Sequence, residues 1–172
     1  MDVTCDVGPA LVFHSVYESD NGFEDREPSA DVSAYTADTG ANVILVDDSV
    51  NNFTGTNVYR MLKTKFSDES STDAVKKQKK LWKIDGTFYS FQSMTINGQE
   101  KGNGILNIQA GFEGLDSELH LVINGGTVNI QSQDDGINAN EDNVSVVTIN
   151  GGELHIVAGL GSEGDGLDSN GY

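Results

Sequence analysis

Short segments of the chain alternate apolar and polar residues with a period of two, and the same alternation returns several times. Because successive residues of a β-strand point to opposite faces of a sheet, each segment predicts a strand with one buried face. Aligned with one another, the segments give three apolar columns: Met94, Leu121 and Val147; Ile96, Ile123 and Ile149; Leu115, Ile137 and Leu167. The columns predict that the strands stack on one another, residue over residue.

A further set of segments places one polar residue between two apolar ones. The three segments are Leu106-Asn107-Ile108, Val128-Asn129-Ile130 and Leu154-His155-Ile156. We expect the apolar pairs to point into the core, so that Asn107, Asn129 and His155 point outward.

The segments return with a period of 22 to 30 residues and carry no helical pattern. Self-similarity at such a period is the signature of a solenoid, in which each repeat buries its faces against its neighbours. Glycine pairs such as Gly125-Gly126 and Gly151-Gly152 suit the tight turns between strands. The pattern therefore predicts an all-β fold, a parallel β-helix with short turns.

The rest of the chain is less regular. We expect one domain over residues 1–172, with its clearest coils over 83–172 and an N-terminal cap or irregular segment over 1–40, where Leu11-Val12-Phe13 could form an edge strand. Residues 41–50 predict a single strand, and residues 63–83 a lysine-rich surface excursion. Because the last coil would stop at Tyr172 with an open edge, we expect the natural chain to continue.

The net charge of -17 is unevenly distributed. Eight of the ten Lys and Arg residues lie between Arg60 and Lys83, whereas residues 102–172 hold eleven acidic residues and no cationic one. Nucleic acid is therefore an unsuitable partner, because phosphate groups need Lys and Arg. The chain contains no apolar run of the ~20 residues that cross a membrane as a helix, and its single cysteine, Cys5, excludes an internal disulfide.

Stacking would bring the acidic residues together in two columns. Glu113, Asp135 and Asp165 form one column, Asp116, Asn138 and Asp168 form the next, and Asp134 lies beside the first. Carboxylates stacked at strand spacing repel, so they must protonate, splay into water or bind a cation. Calcium accepts six to eight oxygen ligands in flexible geometry, which makes these seven residues candidate calcium ligands. A bare, solvated acidic face is the alternative.

Four strings carry a family resemblance: residues 87–98, 125–130, 134–137 and 164–167. Together they resemble a clostridial family of polysaccharide-lyase-like, carbohydrate-binding proteins, and the similarity extends over residues 83–172. The resemblance implies a right-handed parallel β-helix with calcium between coils and a secreted or cell-surface location. It also implies binding to cellulose and to pectin-like, polygalacturonate-type acidic polysaccharide, without established cleavage. Gly86 departs from the pattern, since the other coils carry an acid at that place.

Three classes of function remain open. A calcium-binding, non-catalytic module for acidic polysaccharide is the first. A calcium-dependent pectate-type lyase is the second, but proton abstraction beside a uronate needs a base, and the acidic coils offer no Lys or Arg. Such a lyase would have to recruit residues 76–83, His120 or His155. The third is a structural or adhesive surface solenoid that calcium stiffens.

Overall fold

The computed structural model describes residues 1–13, 40–56, 84–160 and 164–171, and all regular secondary structure within these ranges is β-strand. The described strands, in chain order, are β1 Asp2–Thr4, β2 Leu11–Phe13, β3 Ala41–Leu45, β4 Val50–Thr54, β5 Gly86–Ser90, β6 Met94–Gly98, β7 Ile105–Ala110, β8 Glu113–Ser117, β9 Leu121–Ile123, β10 Thr127–Ser132, β11 Ile137–Ala139, β12 Val147–Ile149, β13 Glu153–Val157 and β14 Leu167–Ser169. No helix in the described part of the chain is long and apolar enough to cross a membrane.

The strands form three sheets in which every pair is parallel. Sheet A has the order β1-β4-β7-β10-β13, sheet B the order β14-β11-β8-β5-β2, and sheet C the order β12-β9-β6-β3. From β6 onward the chain visits sheets C, A and B in a fixed rotation, so each group of three strands is one repeat. Neighbours within a sheet therefore come from successive repeats, which confirms the all-β fold and the stacking of parallel strands.

The register agrees with the columns predicted from the sequence. Leu121 pairs with both Met94 and Val147, and Ile123 pairs with Ile96 and Ile149. In sheet B, Ile137 lies between Leu115 and Leu167. A shift by one residue would turn each apolar set to the outside, and burial of one face therefore specifies this register strongly.

The core lies between the three sheets and contains side chains from each of them. Its fully buried members include Met94 and Ile123 from sheet C, Val128 from sheet A and Leu115 from sheet B. Burial weakens toward the last repeat, because its strands have a neighbour on one side only in the described chain. Leu167 is accordingly exposed, although its register matches the prediction.

Two hydrogen-bonded ladders of asparagines run along the outside of the stack. In sheet A, the side chains of Asn107 and Asn129 point outward, as predicted, and the amide of each donates to the preceding rung at 2.7 Å. Beside sheet C, a second ladder joins Asn42, Asn97, Asn124 and Asn150. Each rung gives a polar side chain at the surface a hydrogen-bond partner.

The turns also match the prediction in part. Gly126 and Gly152 have φ values of 86° and 96°, a region that glycine adopts without steric cost.

The single strand predicted over residues 41–50 is wrong: a turn separates β3 from β4, with Asp48 at φ 60°. The Asp47 carboxylate holds this turn by accepting the backbone N–H groups of Lys101 and Gly102 at 3.0 and 3.1 Å.

The segment Leu11–Phe13 is the edge strand of sheet B, as predicted, and pairs with β5. The lysine-rich excursion over 63–83 and most of the N-terminal segment, residues 14–39, lie outside the described residues.

Candidate functional site

The predicted acidic columns lie along sheet B and the turns that lead into it. Asn138 on β11 pairs with Asp116 on β8 and with Asp168 on β14, so the second column is formed as predicted. Glu113 begins β8. Asp135 lies two residues before β11, which pairs with β8, and Asp165 lies two residues before β14, which pairs with β11. Backbone hydrogen bonds of 2.9 Å from Gly114 to Asp135 and from Gly136 to Asp165 hold these turns together.

Burial divides the seven candidate ligands into two groups. Asp116 is completely buried, Glu113 is 7% exposed and Asn138 is 5% exposed. Asp134, Asp135 and Asp168 are half-buried, and Asp165 is exposed. The structure thus brings three candidate ligands into a buried cluster and leaves four toward the surface.

The buried cluster is linked by amide hydrogen bonds. Asn138 donates from Nδ2 to Glu113 Oε1 at 3.3 Å and to Asn140 Oδ1 at 2.9 Å. Asn140 in turn donates to Asp116 Oδ1 at 2.7 Å, and the backbone N–H of Gly86 donates to Asp116 Oδ2 at 3.2 Å. Asn140 is not among the residues predicted from the repeats. Its spacing from Asn138, two residues along the chain, is the signal that could have found it, because alternate residues of a strand share a face.

Gly86 also has a steric role. It pairs with Glu113, so it occupies the position of the missing acid in the preceding repeat. A Cβ placed on Gly86 would overlap the Cβ of Asp116. The departure from the repeat pattern therefore makes room for the buried carboxyl group of the next repeat.

The two buried carboxyl groups are held close together without a compensating cation from the described residues. Burial, and after it the neighbouring charge of Asp85, raises the pKa of Glu113 to about 7. The hydrogen bonds of Glu113 with Asp116 and with the amide of Asn138 lower this pKa and only partly offset the rise. Burial and the adjacent Glu113 raise the pKa of Asp116 well above its usual range. Lys101 is the only Lys or Arg among the described residues, and its ammonium group pairs with Asp48 at 2.5 Å. Two carboxyl groups in such contact need a proton or a cation between them.

Two oxygen atoms of this cluster have no hydrogen-bond partner among the described residues. Glu113 Oε2 and Asn138 Oδ1 are both buried and unsatisfied. Leaving a buried acceptor unpaired is costly, so buried polar atoms nearly always have a partner. Asn138 Oδ1 only accepts, and Glu113 Oε2 does so whenever its carboxyl group is ionised; oxygen acceptors of this kind are the ligands that calcium prefers.

The surface group is less converged. The backbone N–H of Asp165 donates to Asp135 Oδ1 at 2.7 Å. Burial, ahead of the charges of Asp168 and Asp165, raises the pKa of Asp135. Within the described ranges, no three acidic, histidine or cysteine side chains converge at metal-ligand distances. Any ion held here would therefore need the amide oxygen of Asn138 or backbone carbonyls in addition to the carboxylates.

The two histidines considered as bases lie outside the strands of sheet B. His120 precedes β9 of sheet C, and its Nδ1 accepts the backbone N–H of Val146 at 3.2 Å. Burial lowers the pKa of His120. His155 is exposed on β13 of sheet A, in the register position of Asn129, as predicted. Residues 76–83, the third source of a base, lie outside the described part of the chain.

No curated protein and no solved structure matches the chain. A family model described as "Carbohydrate-binding domain-containing protein" matches residues 27–172 and so includes sheet C and every candidate ligand discussed above. A carbohydrate-binding domain agrees with a stack of sheets that presents long polar faces. The chain belongs to this family of carbohydrate-binding domain proteins.

Proposed function

We propose that this carbohydrate-binding domain is a non-catalytic module that binds acidic polysaccharide of the polygalacturonate type and depends on calcium. We further propose that its sheets close into a right-handed parallel β-helix and that the protein is secreted or displayed at the cell surface. The family match supports the carbohydrate partner, and the finer parts of the proposal rest on the acidic site.

The observation that carries the proposal is the pair of unsatisfied oxygens, Glu113 Oε2 and Asn138 Oδ1, beside the buried Asp116 carboxyl group. Glu113, Asp116 and Asn138 would hold the calcium ion. When bound, calcium neutralises adjacent carboxylates and accepts further oxygen ligands. Asn140 positions the cluster through its hydrogen bonds to Asn138 and Asp116.

The surface acids explain why a cation would be needed for an acidic glycan. Asp134, Asp135, Asp165 and Asp168 lie on the turns and strand leading away from the buried cluster. A uronate carboxylate approaching them meets like charge, because the described residues offer no free Lys or Arg there. A cation held between protein and ligand turns this repulsion into attraction. We therefore assign the surface acids to calcium ions that the polysaccharide shares.

The positions of the two described histidines favour binding over cleavage. Lyase chemistry removes a proton from the carbon beside the uronate carboxylate, which requires a base within hydrogen-bond reach. His120 uses Nδ1 to accept a backbone hydrogen bond in sheet C, and His155 lies on sheet A. Neither lies on the acidic columns of sheet B.

Calorimetric titration of polygalacturonate oligomers into the protein tests the proposal. We expect binding in the presence of calcium, no binding after chelation, and weakened binding in Asp135→Ala and Asp168→Ala. Asp142→Ala is the matched control, because Asp142 is an exposed acid on a turn outside the two columns. Binding that resists chelation, or that Asp142→Ala weakens equally, would contradict the proposed calcium bridge.

Two further outcomes separate the alternative functions. Release of unsaturated products that absorb ultraviolet light would identify a lyase. Calcium binding that stabilises the protein without any binding of polygalacturonate would indicate a structural or adhesive solenoid.

A further inference from the structure

A second polar face, distinct from the acidic columns, lies on the outside of sheet A. An open trough of about 620 Å³ crosses β4, β7, β10 and β13. Its polar side chains belong to two rows: Asn52, Asn107, Asn129 and His155 in one, and Thr54, Gln109 and Gln131 in the other. Since parallel strands are ~4.8 Å apart, each row presents one side chain at every ~4.8 Å along the stack.

The asparagine row is structural but leaves hydrogen-bonding capacity unused. Asn107 uses one amide N–H to reach Asn52 and one lone pair to accept from Asn129, each at 2.7 Å. A primary amide has two N–H donors and two acceptor lone pairs, so each rung keeps one donor and one acceptor. The ladder fixes these groups in place, which lowers the entropic cost of using them to bind a ligand.

The row of Thr54, Gln109 and Gln131 exposes its two glutamine amides in the described part of the chain. Gln109 and Gln131 are exposed, and their side-chain amides form no hydrogen bond with any residue in the described ranges. Their spacing is set by the pairing of β7 with β10. Two free amides therefore stand side by side next to the ordered asparagine ladder.

The trough is electrically neutral on a strongly acidic protein. Its described lining contains no Asp, Glu, Lys or Arg, whereas the chain has 27 acidic residues and a net charge of -17. The lining itself therefore offers no charged partner to an anionic or a cationic ligand, although the carboxylates of Asp2 and Glu153 contact Asn52 and His155 at its two ends. Amides that both donate and accept match hydroxyl groups, which also do both.

We propose that the outer face of sheet A is a second glycan site, which binds an uncharged, extended polysaccharide chain laid across the strands and does so without calcium. The proposal rests on the carbohydrate-binding role of the family, but it does not require the acidic site. The hydroxyl groups of successive sugars would pair with Gln109 and Gln131 and with the free amide groups of Asn107 and Asn129. The described lining contains no exposed aromatic platform, so hydrogen bonds would provide the specificity.

The test uses cellohexaose as the neutral probe and titration calorimetry in the presence of chelator. We expect binding to the unaltered protein and a loss of at least about tenfold in affinity in the double variant Gln109→Ala/Gln131→Ala, because each lost hydrogen bond contributes about fivefold. The double variant should keep its melting temperature, since these side chains are exposed and form no hydrogen bond within the described ranges. It should also keep its calcium-dependent binding of polygalacturonate.

Asn129→Ala and Asn124→Ala form a matched pair. Both residues are rungs of an asparagine ladder, but Asn129 lines the trough and Asn124 lies beside sheet C. We expect Asn129→Ala to weaken cellohexaose binding and Asn124→Ala to leave it unchanged.

Three results would overturn the inference. They are no binding of cellohexaose to the unaltered protein, unchanged affinity in the double variant, and binding that chelation abolishes. A concentration-dependent dimer that the double variant disrupts would assign this face to a second copy of the chain instead. Each result leaves the acidic site to be judged by its own polygalacturonate titration.

Discussion

The side chain of Asp116 fills the space that a side chain on Gly86 would occupy. The two residues belong to neighbouring strands of sheet B, and the Gly86 N–H donates to Asp116 Oδ2 at 3.2 Å. A Cβ on Gly86 would overlap the Asp116 Cβ, so glycine is required on steric grounds, while its φ is not in the left-handed region. Gly86 stands where the next repeat has the acid Glu113, and the space left by its missing side chain is filled by Asp116 of that next repeat.

Gly86→Ala is therefore expected to destabilise the protein and disturb the buried cluster. Inserting a methyl group into a packed site costs about 1–3 kcal/mol, because neighbouring groups must shift. Urea unfolding followed by circular dichroism would measure the loss, and calcium titration would measure the disturbance of the site.

Gly166→Ala is the matched control for this substitution. Gly166 lies two residues before Asp168, and nothing lies within 4 Å of a Cβ built on it. We expect its free energy of unfolding to stay close to that of the unaltered protein. Equal destabilisation by the two substitutions would show that space around Asp116 is not the cause.

Without calcium, the protein should lose stability as the pH rises from 5 to 8. Burial, together with the charges of Asp85 and Asp135, raises the pKa of Glu113 from 4.5 to about 7. The hydrogen bonds of Glu113 with Asp116 and Asn138 act in the opposite direction. A carboxyl group with a raised pKa in the folded state contributes its stability fully below the pKa of the unfolded chain, and this contribution is lost as the pH rises through about 7. The expected loss is a few kcal/mol, measured by urea unfolding at each pH.

Glu113→Gln should reduce this pH dependence, because the amide does not titrate. Glu153→Gln is the control, since Glu153 is an exposed residue of sheet A, away from the buried cluster. A slope between pH 5 and 8 that Glu113→Gln leaves intact would assign the titration to other groups.

Calcium should raise the melting temperature, and chelation should lower it again. Ligand that binds only the folded state stabilises by RT ln(1 + [L]/Kd), which is about 2.7 kcal/mol at a hundredfold excess over Kd. The increase should be larger at pH 8 than at pH 5, because protons compete for Glu113 and Asp116. Scanning calorimetry at the two pH values, with elemental analysis of bound metal, checks this. An identical melting curve with and without calcium would contradict a structural ion.

The loss of unfolding free energy caused by truncating a side chain in the column of Ile96, Ile123 and Ile149 should depend on the position of that residue along the stack. Ile123 is fully buried between two neighbouring strands, whereas Ile149 occupies the same column and is 47% exposed. We expect Ile123→Ala to cost about 2–5 kcal/mol, as is typical for a buried aliphatic side chain. Ile149→Ala should cost clearly less, because it removes less buried surface. Equal losses of unfolding free energy would contradict the described burial gradient.

The amino-acid sequence by itself determined the strands of the repeats, their stacking order and their register. The alternation around Leu121 and Ile123 has a period of two, and it returns in every repeat, so aligning the repeats predicts the pairs that the sheets form. The same alignment places Asp116, Asn138 and Asp168 in one column, and the pairing of β11 with β8 and β14 confirms it. Such information is local and periodic, which makes it readable from one chain.

The sequence pattern treats the residues of one column as equivalent, and only the tertiary structure decides how deeply each of them is buried. Asp116 and Asp168 share a column, yet only Asp116 is completely buried, because burial depends on neighbouring repeats rather than on the motif itself. The turn at Asp48 has a local signal in Asp47-Asp48-Ser49, which are turn-favouring residues, but further contacts that hold it come from Lys101 and Gly102, more than fifty residues away. Periodicity specifies which face of a strand a residue occupies. Its solvation, and therefore its charge state and its capacity to bind a cation, depends on packing between distant segments.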